Sequence, residues 1–129
     1  MDADARTKLP LLPVAQLGAL IRERKASPVE VVSSYLDRVD ELDGRIHAFI
    51  TVMRDEALDA AHRAEKDIAA GTYRGPLHGV PIGLKDIYYT RGTRTTGGSK
   101  IRRWAEFVPD EDAKVVARLR RPAPSSSAS

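Results

Sequence analysis

One lysine, Lys85, closes an apolar run inside the stretch Gly75–Ser99, which reads G-P-L-H-G-V-P-I-G-L-K-D-I-Y-Y-T-R-G-T-R-T-T-G-G-S. An ordinary lysine, with a pKa near 10.4, is protonated at neutral pH and cannot act as a base. In an apolar setting the charged form is disfavoured, and a neutral amine can then take a proton from a hydroxyl. Val80, Ile82, Leu84 and Ile87 offer such a setting. The same pattern also fits a lysine at a strand end that reaches for solvent along its own methylenes. Asp86 is adjacent, but neighbours on a strand point to opposite faces, so it need not pair with Lys85.

Downstream, Thr95, Thr96, Gly97, Gly98 and Ser99 form a loop of small hydroxyl residues and glycines. It reads either as a flexible turn or as support for a site around Lys85. A phosphate-cradling loop is a poor fit, because the G-K-[ST] ending is absent. His47, His62 and His78 lack ligand-like spacing, so no metal is expected. Arg91, Arg94, Lys100, Arg102 and Arg103, with Tyr88, Tyr89 and Trp104 nearby, admit an RNA contact but read better as a solvated loop. The net charge of the 129 residues is only +3, with both signs interspersed, and no nucleic-acid partner is expected. The absence of cysteine excludes a disulfide framework and a thiolate nucleophile and fits a cytoplasmic location. No apolar run approaches the ~18 residues of a membrane span.

The elements that must position Lys85 follow from periodicity and caps. Residues 1–13, polar and then punctuated by Pro10 and Pro13, read as an N-terminal arm, extended rather than helical. Val14, Leu17, Leu20 and Ile21 give a short amphipathic helix. Ser27-Pro28-Val29-Glu30 combines a capping hydroxyl, a proline at the first helical position and a Glu placed to bond back, so a second helix starts there. Its stripe is Val29, Val32, Leu36, Val39 and Leu42, and Gly44 suits its C-terminal cap. Ala48–Met53, rich in β-branched and aromatic residues, predicts a strand. Asp55–Ala70 predicts a third helix with Ala57, Ala61, Ala64 and Ile68 inward. Val80–Lys85 predicts a second strand, with Pro81 and Gly83 marking an edge or bulge, and Asp110–Arg120 a last helix. Strands separated by helices imply an α/β fold.

G-P-L-H-G-V-P-I-G-L-K-D followed by T-T-G-G-S resembles the N-terminal signature region of the amidase signature family, serine hydrolases that use a Ser–cis-Ser–Lys triad. S-P-V-E-V-V at 27–32, H-A-F-I-T-V at 47–52 and D-A-K-V-V-A-R-L-R at 112–120 resemble family positions in the same order, so the likeness runs from Leu17 to Arg120. The resemblance implies the N-terminal, incomplete part of the amidase signature fold over residues 14–121, a mixed sheet flanked by helices. It implies that Lys85 is the triad lysine, taking the proton of a bridging serine that activates the nucleophilic serine. Backbone amides would hold the tetrahedral intermediate. Thr96, Gly98 and Ser99 would play a supporting or substrate-binding part. The substrate would be a small-molecule amide, with no cofactor.

Family members are several times longer, and their two serines lie in a glycine/serine-rich segment that has no counterpart here. Ser125, Ser126 and Ser127 lack the glycines such a tight backbone needs, so no catalytic role is transferred to them. The tail of residues 122–129, Pro-Ala-Pro-Ser-Ser-Ser-Ala-Ser, fits a low-complexity terminus. It also fits a shifted frame. The family strand Ala-Gly-Ala-Ile-Ile-Leu-Gly-Lys-Leu-Asn, in GC-rich codons and after loss of a single upstream base, reads as that tail followed by a stop. The expectation is therefore a truncated, inactive fragment of an amidase; the neighbouring frame of the gene must then encode the glycine/serine-rich segment. The alternatives are a protein resembling the tRNA-dependent amidotransferase component that shares the signature, and a non-catalytic interaction module.

Overall fold

The computed structural model describes residues 2–121; the Pro/Ser tail lies outside the described residues. The described chain forms two units, residues 2–81 and residues 82–121. The first is helical. Helix α1 (Ala3–Lys8) is capped by Asp2, whose carboxylate accepts the Ala5 amide at 2.7 Å, and runs into a 3-10 turn at Leu9–Leu11. This stretch is helical rather than extended. Leu9, 2% exposed, is the reason: it joins Leu17, Ile21, Ala26, Val31 and Ile68 in the main apolar cluster. Burying a side chain of this size contributes about 1.5–3 kcal/mol, enough to order a short segment that propensity alone would leave frayed. Arg6 also pairs with Asp37 at 2.7 Å, tying α1 to the long third helix.

Helix α2 (Val14–Arg22) buries Leu17, Gly18 and Ile21. Gly18 is there for contact: a Cβ at this position would stand 2.6 Å from the carbonyl oxygen of Pro76. The chain turns at Arg24, whose φ of 58° is left-handed, and the Arg24 guanidinium donates to the Ile68 carbonyl at 2.8 Å. That bond gives a further donor to a carbonyl in the last turn of helix α4 (Arg54–Ala69), which also accepts the Gly71 amide at 3.0 Å.

Helix α3 (Pro28–Ile46) begins where the capping signal places it. Ser27 Oγ accepts the Glu30 amide at 3.1 Å, and Glu30 Oε2 accepts the Ser27 amide at 2.9 Å. Its inner face is wider than the expected stripe. Val31 and Ser34 are buried besides Val32 and Leu36, because α3 faces two clusters, the main one and a second made with Ala61 of α4. Ala61 and Ala64, both buried on α4, leave room for close approach of the two helices. Gly44 does not cap α3. The helix continues to Ile46 and stops at His47, with φ 52°, because the Asp43 carboxylate accepts the Ala48 and Phe49 amides at 2.7 and 3.2 Å.

Neither expected strand forms. Residues 48–53 and 80–85 are irregular, and among the described residues β pairing is limited to one antiparallel bridge between Thr90 and Thr93. The α/β arrangement with a mixed sheet is therefore absent from the described residues, which are helical. A β-branched segment is a strand only when another segment takes its N–H and C=O groups. Among the described residues no strand does so: the Ala48 and Phe49 amides go to the Asp43 carboxylate and the Val80 amide to the Leu77 carbonyl, and Phe49, Ile50, Val52, Ile82, Leu84 and Ile87 are all exposed.

The second unit holds helices α5 (Arg102–Ala105) and α6 (Lys114–Arg120). Backbone bonds from Gly92 to Pro109, Thr95 to Phe107 and Ala113 to Tyr89, at 2.7–3.0 Å, tie its loops together. Tyr89 and Trp104 both pack on Phe107, with ring centroids 5.2 and 6.1 Å away. Helix α6 starts four residues later than expected. Asp112 is turned to the Arg91 amide at 2.8 Å and to the Arg120 guanidinium at 3.0 Å instead of capping a longer helix. Among the described residues no helix is long and apolar enough to cross a membrane.

Candidate active site

Lys85 lies in the second unit, on irregular backbone, with its side chain exposed. The apolar wall expected around it does not close. Within this unit, Ile82, Leu84 and Ile87 are 46%, 39% and 54% exposed. The Lys85 carbonyl accepts the Tyr88 amide at 3.1 Å, so the chain turns directly after it. That turn replaces the strand alternation that would have set Lys85 and Asp86 on opposite faces.

The turn aims Asp86 at the hydroxyl/glycine loop. Asp86 Oδ1 accepts the Thr96 amide at 2.9 Å, and Oδ2 accepts the Thr96 hydroxyl. The Asp86 carbonyl accepts the Gly97 amide at 2.8 Å. Thr96 Oγ1 in turn accepts the Gly98 amide at 3.1 Å. Gly97 and Gly98 have φ of 59° and 73°, left-handed in succession, which residues with a Cβ adopt only at a cost. Burial pushes the Asp86 carboxyl up, but the bonds from Thr96 and Gly98 and the nearby Arg94 charge outweigh it and hold it below the usual carboxylate range.

The loop residues singled out by sequence thus separate. Thr96 is half-buried, and its hydroxyl is engaged both as donor and as acceptor. Gly98 supplies backbone geometry and an amide. The Ser99 amide donates to the Thr96 carbonyl at 3.0 Å and its hydroxyl accepts the Ile101 amide at 3.2 Å, which leads the chain into α5. Thr95 is buried. Asp86 is the participant that sequence reasoning missed. The signal was available: two consecutive glycines in a turn leave amides that need an acceptor, and a carboxylate ten positions before Thr96 can supply one.

Elsewhere the polar groups serve the fold. In the first unit His78 Nδ1 accepts the Arg74 amide at 3.0 Å, and its Nε2 lies 3.8 Å from Asp67. A shallow hollow lined by Ala15, Gly18, Ala19, Arg22, Glu23, Tyr73 and Pro76 belongs to the same unit and contains none of the candidate residues. Among the described residues no three His, Asp or Glu side chains converge as a metal site would require. In the second unit Arg102 pairs with Glu106 at 3.4 Å and Arg103 lies over the Trp104 ring at 4.9 Å.

Residues 30–123 match the family model described as Amidase, which covers most of the chain, and the protein belongs to that family. Among its relatives, the protein named putative amidase AmiD in Mycobacterium tuberculosis is 48% identical over 120 residues, or 93% of this chain and 24% of AmiD. The glutamyl-tRNA(Gln) amidotransferase A-type subunit of Geobacter sulfurreducens is 48% identical over 109 residues, 84% of this chain and 22% of that subunit. Its counterpart in Salinispora tropica is 43% identical over 114 residues, 88% of this chain and 23% of its own length. The chain spans about a quarter of the length of the curated relatives it matches.

Proposed function

We propose that this chain contributes the lysine-bearing segment of an amidase-type hydrolase of carbon–nitrogen amide bonds. The observation that carries the reading is the run Gly75–Asp86 containing Lys85, with the Thr96–Ser99 loop bonded back to the next residue, Asp86. Lys85 takes the proton of a bridging serine hydroxyl. That serine takes the proton of the nucleophile, whose oxygen attacks the amide carbonyl; the proton passes back through the relay to the leaving nitrogen, the C–N bond breaks to leave an acyl ester, and water then hydrolyses the ester. The chain supplies one triad member, and by itself it turns nothing over.

In the complete domain, segments 48–53 and 80–85 are strands of a mixed sheet, which closes the apolar wall around Lys85. Their β-branched composition and present exposure support this. A second reading, the glutamine-hydrolysing component of a tRNA-dependent amidotransferase, is favoured by relatives 43–48% identical that carry the amidotransferase name. In that case the amide is the side chain of glutamine.

The test is a chimera in which residues 14–121 replace the matching segment of the Mycobacterium tuberculosis AmiD, assayed for ammonia release from simple amides and from glutamine. Turnover is expected, and Lys85→Ala is expected to reduce it by about a hundred-fold or more, in the range for loss of a positioned base. A chimera as active with alanine as with lysine at this position sinks the proposal. Preference for glutamine over simple amides favours the second reading.

A further inference from the structure

We propose that Asp86 is the positioning residue of this site: its carboxylate and carbonyl clamp the Thr96–Gly98 loop to the residue next to Lys85. The inference rests on the amidase reading, and it assigns a role to a side chain that the triad does not use.

One residue receives the Thr96 amide, the Thr96 hydroxyl and the Gly97 amide, and the Thr96 hydroxyl passes the contact on to the Gly98 amide. The loop amides are all donors, and the Asp86 carboxylate in its ionised, acceptor-only form suits both the Thr96 amide and the Thr96 hydroxyl. Bonds to an ionised acceptor are the stronger kind. Gly97 and Gly98, both at positive φ, let successive amides point toward one side of the turn, which no ordinary pair of residues would do without strain.

The loop has few other anchors: Thr95 to Phe107 on one flank, and the Ser99–Thr96 turn on the other. The position of Thr96, Gly97 and Gly98 relative to the Lys85 main chain is therefore set by Asp86. A base and the groups around its target must be held in a fixed geometry, and small displacements far from the reacting bond lower the rate steeply. Asparagine has the same shape and keeps Oδ1 for the Thr96 amide, but it meets the Thr96 hydroxyl only as a neutral donor. Asp86→Asn therefore replaces bonds to a charged acceptor by weaker neutral ones without opening space.

Two readouts decide the matter. In the full 129-residue chain, the backbone amide resonances of Thr96 and Gly98 are expected to titrate together, with a midpoint below that of an ordinary aspartate. In Asp86→Asn that titration disappears and the Thr96 amide exchanges about ten-fold faster, the loss expected for a bond to a charged acceptor. In the AmiD chimera, Asp86→Asn is expected to lower kcat about ten-fold with KM changed less than about two-fold. Thr96→Val should match that loss, and Thr96→Ser, which keeps the hydroxyl, should recover turnover relative to Thr96→Val.

Loop amides indifferent to pH, or an unchanged kcat in Asp86→Asn, overturn the proposal. So does an effect on KM alone, which would make the loop a substrate contact. A chimera insensitive to Lys85→Ala while the amides still titrate shows instead that the amidase reading has failed and that Asp86 serves the fold only. If the chimera does not fold, the amide readouts on the chain decide.

Discussion

Asp86 and His78 show how a single polar side chain can hold an irregular segment in place. His78 uses Nδ1 as an acceptor for the Arg74 amide, which requires that nitrogen to be unprotonated. Burial lowers its pKa, against the pull of Asp67 and with the push of Arg74. The folded state therefore binds a proton less readily than the unfolded chain. Its contribution to stability is full above the unfolded histidine value of about 6.5 and is lost as pH falls below it toward the depressed folded value. The chain should melt at a lower temperature at pH 5.5 than at pH 7.5. His78→Asn should flatten that difference in a circular-dichroism melt; an equal slope in the variant would place the proton elsewhere.

The helices are held by signals of different strength, and this has measurable consequences. The reciprocal Ser27–Glu30 cap fixes the start of α3, the element that carries residues of both apolar clusters. Ser27→Ala should destabilise the chain by about 1 kcal/mol, a typical value for loss of an N-cap side chain. Denaturant titration reads this as a shift in midpoint at constant slope. A shift of the same size in Glu30→Ala, with no further loss in the double variant, would identify the two bonds as one unit. The C-terminal end behaves differently: Asp43, not a glycine, stops the helix by accepting two amides beyond it.

At the scale of the molecule, among the described residues, the large apolar residues left exposed outnumber those in the core clusters. Phe49, Ile50 and Val52 in one unit and Ile82, Leu84, Ile87, Tyr88 and Tyr89 in the other are between 39% and 59% exposed. Exposed apolar runs on unpaired extended backbone are templates for association. The purified chain should bind a hydrophobic dye such as ANS and self-associate as its concentration rises. Sedimentation that shows a monomer up to about 100 μM, with no dye bound, would contradict the expectation drawn from these exposures. Replacing Ile82, Leu84 and Ile87 together by threonine should suppress the association while leaving the α3–α4 packing intact, because none of the three belongs to either helical cluster.

The sequence by itself determined what depends on residues close together in the chain. The cap at Ser27, the existence of α2, α3 and α4, the inward alanines of α4 and the family signature that includes Lys85 and ends at Ser99 are all local patterns. Only the tertiary structure decided what depends on distant partners. It turned residues 3–8 into a helix because Leu9 had a core to enter, and among the described residues it left 48–53 and 80–85 outside any β ladder. It also turned Asp86 toward Thr96. Side-chain type and spacing can name a possible acceptor, but which donor it meets is set by the path of the backbone between them, and that path is fixed by the whole fold.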